Sequence, residues 1–188
     1  MTKNKPEILA PAGSRAALEA AVRSGADAVY LGATEFNARR GAENFNEEQL
    51  QSAVGYCHIR GVKVYLTLNV LLKQNELRIG VEIAKAAQRA GVDGIIVQDL
   101  GLSRLIHTAL PQLPLHASTQ MSVTSAGALP LLKQLGFCRV VAAREMNARE
   151  LSELCVEAQR LGMTVEVFVH GALCMSVSGQ CLLSAMIG

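Results

Sequence analysis

Five times along this chain a helix-like stretch ends in a glycine, and a short apolar run begins two or so residues later. The instances are SGADAVYLGA at Ser24–Ala33, RGVKVYLTLN at Arg60–Asn69, AGVDGIIVQD at Ala90–Asp99, LGFCRVVAAR at Leu135–Arg144 and LGMTVEVFVH at Leu161–His170. The glycines are Gly25, Gly61, Gly91, Gly136 and Gly162, spaced 36, 30, 45 and 26 residues apart. That irregularity excludes a solenoid, whose repeats keep a fixed period. Glycine ends a helix at such a position because it accepts the left-handed conformation that other residues resist. The runs that follow are rich in Val, Ile and Leu, as strands buried on both faces are. Two further strand-like pieces, PEILAPA at Pro6–Ala12 and PLHAST at Pro114–Thr119, bring the strands to seven.

The segments between the runs have helical periodicity. Leu50, Ala53, Val54 and Cys57 recur at i, i+3, i+4 and i+7, and so do Leu151, Leu154, Cys155 and Ala158. Asn46 with Gln49, and Asn147 with Glu150, form capping-box starts that use Asn in place of Ser or Thr. Strand and helix therefore alternate, which demands a parallel sheet with crossover helices. No glycine-rich dinucleotide fingerprint and no Walker A loop follows a strand. The expected fold is thus α/β, a (β/α)8 barrel of the TIM type rather than an open doubly wound sheet. Such a barrel takes about 250 residues. The 188 residues here form one domain with about seven strands and six helices, incomplete, the last βα unit missing. The ending agrees: from Val167 to Gly188 there is no Asp, Glu, Lys or Arg, as if the chain stopped inside a core. An incomplete barrel leaves its first and last strands with open edges, through which copies of the chain could oligomerise.

Composition excludes several classes. Half the residues are apolar and the net charge is +2, which rules out disorder. The longest apolar stretch, Val64–Leu72, is interrupted by Thr67 and Asn69 and falls far short of the ~20 residues a bilayer needs. No apolar region follows Lys3 and Lys5, so no secretory signal is read, and five cysteines without one fit reduced thiols in the cytoplasm. With 18 basic residues against 16 acidic, charge neither argues for nor excludes nucleic acid.

Chemistry in such barrels sits at the C-terminal ends of the strands. Eight residues beyond each repeat glycine stand Ala33, Asn69, Asp99, Arg144 and His170, four of them polar. His116, Ser118 and Gln120 end the fifth strand, and Glu145 follows Arg144. The long loop Thr34–Phe45 is a lid or clamp candidate whose Arg39 and Arg40 suit a carboxylate or phosphate. Cys57 and Cys155 fall on apolar helix faces and Cys138 flanks a strand, all three reading as structural thiols. Cys174 and Cys181 lie instead among Gly171, Ser176, Ser178 and Gly179, without helix or strand periodicity. That pair suggests metal or redox chemistry. Its spacing suits zinc poorly, and an iron–sulfur cluster needs about four thiolates. A nucleophilic Cys174 with His170 as base is the other option.

The final segment resembles the U32 peptidase family. The pattern Glu-x-Phe-x-x-Gly-(Ala/Ser)-apolar-Cys, then four residues and Gly-x-Cys-x-apolar-Ser, is met by Glu166, Phe168, Gly171, Ala172, Leu173, Cys174, Gly179, Cys181, Leu183 and Ser184. ILAPAGS at Ile8–Ser14, GADAVYLG at Gly25–Gly32, TLN at Thr67–Asn69, VQD at Val97–Asp99, HASTQM at His116–Met121 and ARE at Ala143–Glu145 extend the likeness over nearly the whole chain. The resemblance implies the family's N-terminal catalytic domain. It also implies one of two activities: a collagenase-type protease, or oxygen-independent hydroxylation of tRNA or rRNA pyrimidines, or of a ubiquinone precursor, with prephenate as hydroxyl source. The hydroxylating members carry a [4Fe–4S] cluster on four cysteines. Cys174 and Cys181 match the first two, and the other two would follow residue 188.

From these residues the expected catalytic set is Glu166, His170, Asp99 and Arg144. The expected substrate-binding set is Arg39, Arg40, Asn69, Ser118, Gln120 and Glu145, and Arg39, Arg40 and Arg144 suit a dicarboxylate such as prephenate. Three function classes follow: an iron–sulfur RNA-modifying hydroxylase, a peptidase, and a non-catalytic iron–sulfur subunit. The first is favoured, because a cluster at a barrel mouth supplies one-electron chemistry that side chains cannot. The expected partner is RNA or a small aromatic substrate, with no membrane.

Overall fold

The computed structural model describes residues 5–33, 36, 45–171 and 174–181. In chain order its elements are β1 (Leu9–Pro11), α1 (Arg15–Arg23), β2 (Ala28–Gly32), α2 (Glu47–His58), β3 (Lys63–Leu68), α3 (Leu77–Ala90), β4 (Gly94–Val97), α4 (Leu100–Ala109), β5 (Leu115–Ala117), α5 (Leu129–Gln134), β6 (Phe137–Val141), α6 (Ala148–Arg160) and β7 (Thr164–Glu166). Seven strands and six helices alternate, as the repeat demanded. The sheet order is β1-β2-β3-β4-β5-β6-β7. Strictly sequential order separates the two candidate topologies, because a doubly wound sheet reverses its strand order part-way. The arrangement is that of a β/α barrel, seven strands of it among the described residues, with β1 and β7 at the ends of the order. Among the described residues no helix is long and apolar enough to cross a membrane.

The chain divides into two compact units. The first is Met1–Leu68 with Leu72–Ile96. Here β1 pairs parallel to β2, with Leu9 opposite Ala28, and β2 to β3, with Tyr30 opposite Tyr65. The run Val64–Leu68 is buried at every position, which explains why it shows no polar alternation. Ala28, Tyr65 and Ile96 pack together, with Leu9 and Tyr30 against them. The Tyr65 hydroxyl leaves this cluster by donating to Glu7 Oε1 at 3.1 Å. Asn46 closes the predicted capping box on α2: its Oδ1 accepts from Gln49 N–H at 2.9 Å, and Gln49 Oε1 accepts from Asn46 N–H at 3.0 Å.

The second unit is Asn69–Leu71 with Val97–Gly188. In it β5 pairs parallel to β6 and β6 to β7, placing His116 beside Arg139 and Arg139 beside Thr164. Its core holds Leu102, Ile106, Leu115, Leu129, Phe137 and Leu154, each fully or almost fully buried. Asn147 and Glu150 form the second capping box, on α6. The α6 seam is narrower than its periodicity predicted. Leu154 and Ala158 are buried, but Cys155 is exposed, so the reading of Cys155 as a buried structural thiol is corrected. One residue further round a helix is a turn of ~100°, enough to leave a narrow seam. Cys57 is buried, as read, and burial pushes its thiol pKa up. All five repeat glycines have positive φ, from 65° to 91°. Gly136 is the most constrained of them, since a Cβ there would sit 2.4 Å from the His107 ring.

Candidate active site at the cysteine loop

The end of β6 and the turn after β5 meet the segment that carries the cysteine pair. Beyond β5, Ser118 caps a short 3-10 turn: it is buried, its Oγ accepts from Gln120 N–H at 3.2 Å, and its N–H donates to Val97 O at 2.9 Å. Gln98 steadies the same turn by donating Nε2–H to the Gln120 carbonyl at 3.2 Å. Beyond β6, Ala142 N–H donates to Glu166 O at 2.9 Å and Ala143 N–H to Val123 O at 3.0 Å. These two bonds fix the backbone from which Arg144 and Glu145 project.

Both side chains turn to the cysteine loop. Arg144 Nη2 donates to Ser176 O at 3.0 Å, and its Nε and backbone N approach Ser178 Oγ at 3.5 and 3.4 Å. Glu145 Oε1 accepts from Ser178 N–H at 2.9 Å. From the β5 side, the Ser122 hydroxyl donates to Ser178 O. Ser178 is accordingly only 3% exposed, although Met175 and Val177 on the same loop are exposed. Gly179 follows with φ of 77°, and a Cβ on it would lie 2.2 Å from Gln120 O. Only glycine lets the loop approach the turn so closely.

Electrostatics follow this geometry. Hydrogen bonds from Ser178 N–H and from its own backbone hold the Glu145 carboxyl below the usual glutamate value. The Cys174 thiol is also lowered, first by a hydrogen bond from Ser176 N–H, next by contact with the Cys181 thiol, and further by Ser176 and Arg144 side chains. Donors aimed at a thiol favour its thiolate, the form that ligates metals. Both cysteines are exposed.

The other expected residues are placed less closely. Asp99 caps α4, its Oδ1 accepting from Leu102 N–H at 2.7 Å. Asn69 is half-buried, and His170 is exposed. Arg39 and Arg40 lie outside the described residues. Glu166 has a partner that sequence reading missed. Arg139 Nη1 lies 3.9 Å from Glu166 Oε2, their side chains 17% and 15% exposed, and Arg139 Nε donates to Thr164 Oγ1 at 3.0 Å. The signal was present: an arginine inside the apolar run FCRVV is out of place unless paired.

A [4Fe–4S] cluster takes about four thiolates. Among the described residues no group of three or more His, Cys, Asp or Glu gathers around one point. Cys174 and Cys181, both exposed, with the Cys174 thiol lowered by the donors around it, have the chemistry of two of those ligands.

Sequential strand order, with polar side chains at the strand ends, defines a protein of the β/α-barrel class. The chain belongs to peptidase family U32, which it matches over residues 13–188. It is 36% identical over 183 residues to the tRNA hydroxylation protein P of Escherichia coli, covering 97% of this chain and 40% of that protein. It is 36% identical over 184 residues to a 23S rRNA 5-hydroxycytidine synthase of Escherichia coli, covering 98% and 27%. It is 37% identical over 193 residues to a collagenase of Porphyromonas gingivalis, covering 98% and 46%. The chain thus spans less than half the length of these relatives. The solved structure of the U32 peptidase Mk0906 superposes with a TM-score of 0.67 at 17% identity, over 89% of this chain and 69% of that one, a likeness of fold.

Proposed function

We propose that this chain is the barrel portion of an enzyme that hydroxylates pyrimidines in tRNA or rRNA, in the cytoplasm, without molecular oxygen. The observation that carries the reading is the Cys174–Cys181 pair: two exposed thiols flanking a loop gripped by the strand-end residues Arg144 and Glu145. Relatives of similar identity named for tRNA and rRNA hydroxylation support it. Cys174 and Cys181 would supply two ligands of a [4Fe–4S] cluster, with two more from the full-length protein. When bound, such a cluster supplies one-electron chemistry that no side chain offers. Prephenate is the proposed hydroxyl donor, and Arg39 and Arg40 would hold its carboxylates as guanidinium forks. Asp99 and Asn69 border the strand ends where a pyrimidine would sit, and His170 and Glu166 are the remaining titratable groups of the catalytic set. A peptidase reading rests on the collagenase relative. It requires a complete set of nucleophile, base and orienting group, and Cys174 with His170 supplies two of the three.

The deciding experiment is mass spectrometry of nucleosides from tRNA and rRNA of cells lacking the gene, complemented with wild-type or Cys174→Ser full-length protein. The expected result is loss of a hydroxypyrimidine that wild type restores and Cys174→Ser does not. An unchanged nucleoside profile on deletion overturns the reading, and peptide cleavage by purified protein that depends on Cys174 would favour the alternative.

A further inference from the structure

Arg144 and Glu145 stand at the end of β6, where side chains that meet a substrate are expected. Their bonds run elsewhere. Two of the three Arg144 side-chain nitrogens are engaged by the cysteine loop, at Ser176 O and Ser178 Oγ. One Glu145 carboxylate oxygen is engaged by Ser178 N–H. The Ser122 hydroxyl reaches Ser178 O from the β5 side, and Gly179 lies against Gln120 O with no room for a Cβ. A turn bond from Gln180 N–H to Val177 O, at 2.9 Å, closes the segment. Every one of these contacts falls on residues 176–180, between the two cysteines. Ser178 is the buried plug, and Cys174 and Cys181 are left exposed on either side of it.

We propose that Arg144 and Glu145 are positioning residues: together with Ser122 and Gly179 they form a template that sets the 176–179 loop and so brings the Cys174 and Cys181 thiols into mutual reach. In this role they act on the loop rather than on substrate. Two strand-end groups thereby fix a loop that begins beyond β7, so the thiol pair exists as a pair before any ligand arrives. Preorganising ligands in this way matters because a loop left free must be ordered at the moment of binding, at the cost of affinity. The inference rests on the cluster reading only for what the two thiols hold; the template itself is independent of it.

The test uses amide hydrogen exchange and cadmium ion, a thiolate-seeking probe, on the purified chain. In wild type the Ser178 and Gln180 amides exchange slowly, and cadmium binds the thiol pair by calorimetry. Glu145→Ala should speed Ser178 exchange about ten-fold or more, the scale expected when a hydrogen bond to a charged group is lost. Glu145→Gln keeps an oxygen acceptor and should recover part of the protection. Cadmium affinity should fall in Glu145→Ala and in Arg144→Met, while exchange of the Val140 and Val141 amides in β6 stays slow, showing the fold intact. Unchanged Ser178 exchange together with unchanged cadmium affinity in both variants would overturn the template. If wild type fails to bind cadmium while Ser178 exchange still responds to Glu145→Ala, the template stands and the cluster reading loses its ligands.

Discussion

The same substitution, glycine to alanine, should have opposite consequences at two left-handed glycines of the second unit. At Gly179 an alanine meets two penalties. A non-glycine residue at φ of 77° costs about 1–2 kcal/mol. Its Cβ would lie 2.2 Å from Gln120 O, an overlap of the kind that costs about 1–3 kcal/mol when a packed site must absorb it. Gln120 cannot retreat, because its backbone is held by Ser118 Oγ and by the Gln98 amide. The loop can. It buries one residue, and ordering its four residues 176–179 costs about 1–2 kcal/mol each, which its hydrogen bonds offset with little surplus. A penalty of several kcal/mol therefore undocks the loop and leaves the barrel alone. At Gly136 the Cβ would meet the His107 ring, but His107 is exposed and can swing away, leaving mainly the backbone cost of about 1–2 kcal/mol. Leu132 and Phe137 on either side are core residues, so nothing can undock, and the whole fold bears the cost. Thermal unfolding should show Gly136→Ala lowering Tm by roughly 2–8 °C and Gly179→Ala leaving it unchanged, while exchange of Ser178 and Gln180 amides accelerates only in Gly179→Ala. A Tm loss in Gly179→Ala equal to that in Gly136→Ala would refute the view that the loop is a separately docked element.

Three further outcomes follow from local chemistry. Asn147→Ala removes the cap acceptor of Arg149 and Glu150 N–H and should cost about 1 kcal/mol in urea unfolding. The Glu145 carboxyl titrates below its ordinary value of 4.5 when docked, so its contribution is fully present above that value and is lost as pH falls through the lower folded one; Ser178 protection, corrected for intrinsic exchange, should decline there, and Glu145→Gln should abolish the decline. Alkylation followed by peptide mass mapping should label Cys174 in the folded chain and Cys57 only after denaturation, since Cys57 is buried with its thiol pKa raised.

How far the sequence reached depends on the range of the interaction. The repeat glycines, both capping boxes and all seven strands were legible because each is encoded within a few residues. Cys155 was misjudged because periodicity gives the face of a helix but not the width of the seam it buries. Arg144 and Glu145 were located correctly at a strand end, yet their partners, Ser176 and Ser178, lie more than 30 residues downstream, and no local pattern joins them. Arg139 went unremarked for the same reason: its partner Glu166 is on the next strand, visible only once the register sets Val141 opposite Glu166.

Each strand pairing within a unit joins neighbours in the chain: Leu9 with Ala28, Ala28 with Lys63, Leu115 with Phe137, Arg139 with Thr164. Every such pairing closes a loop of only a few tens of residues, and closure entropy grows slowly over that range. Each of these four pairs is complete as soon as its second strand is made. As the chain leaves the ribosome, β1 has its partner once β2 emerges and β5 has its own once β6 does, so the first unit can bury its strands before the cysteine loop has been synthesised.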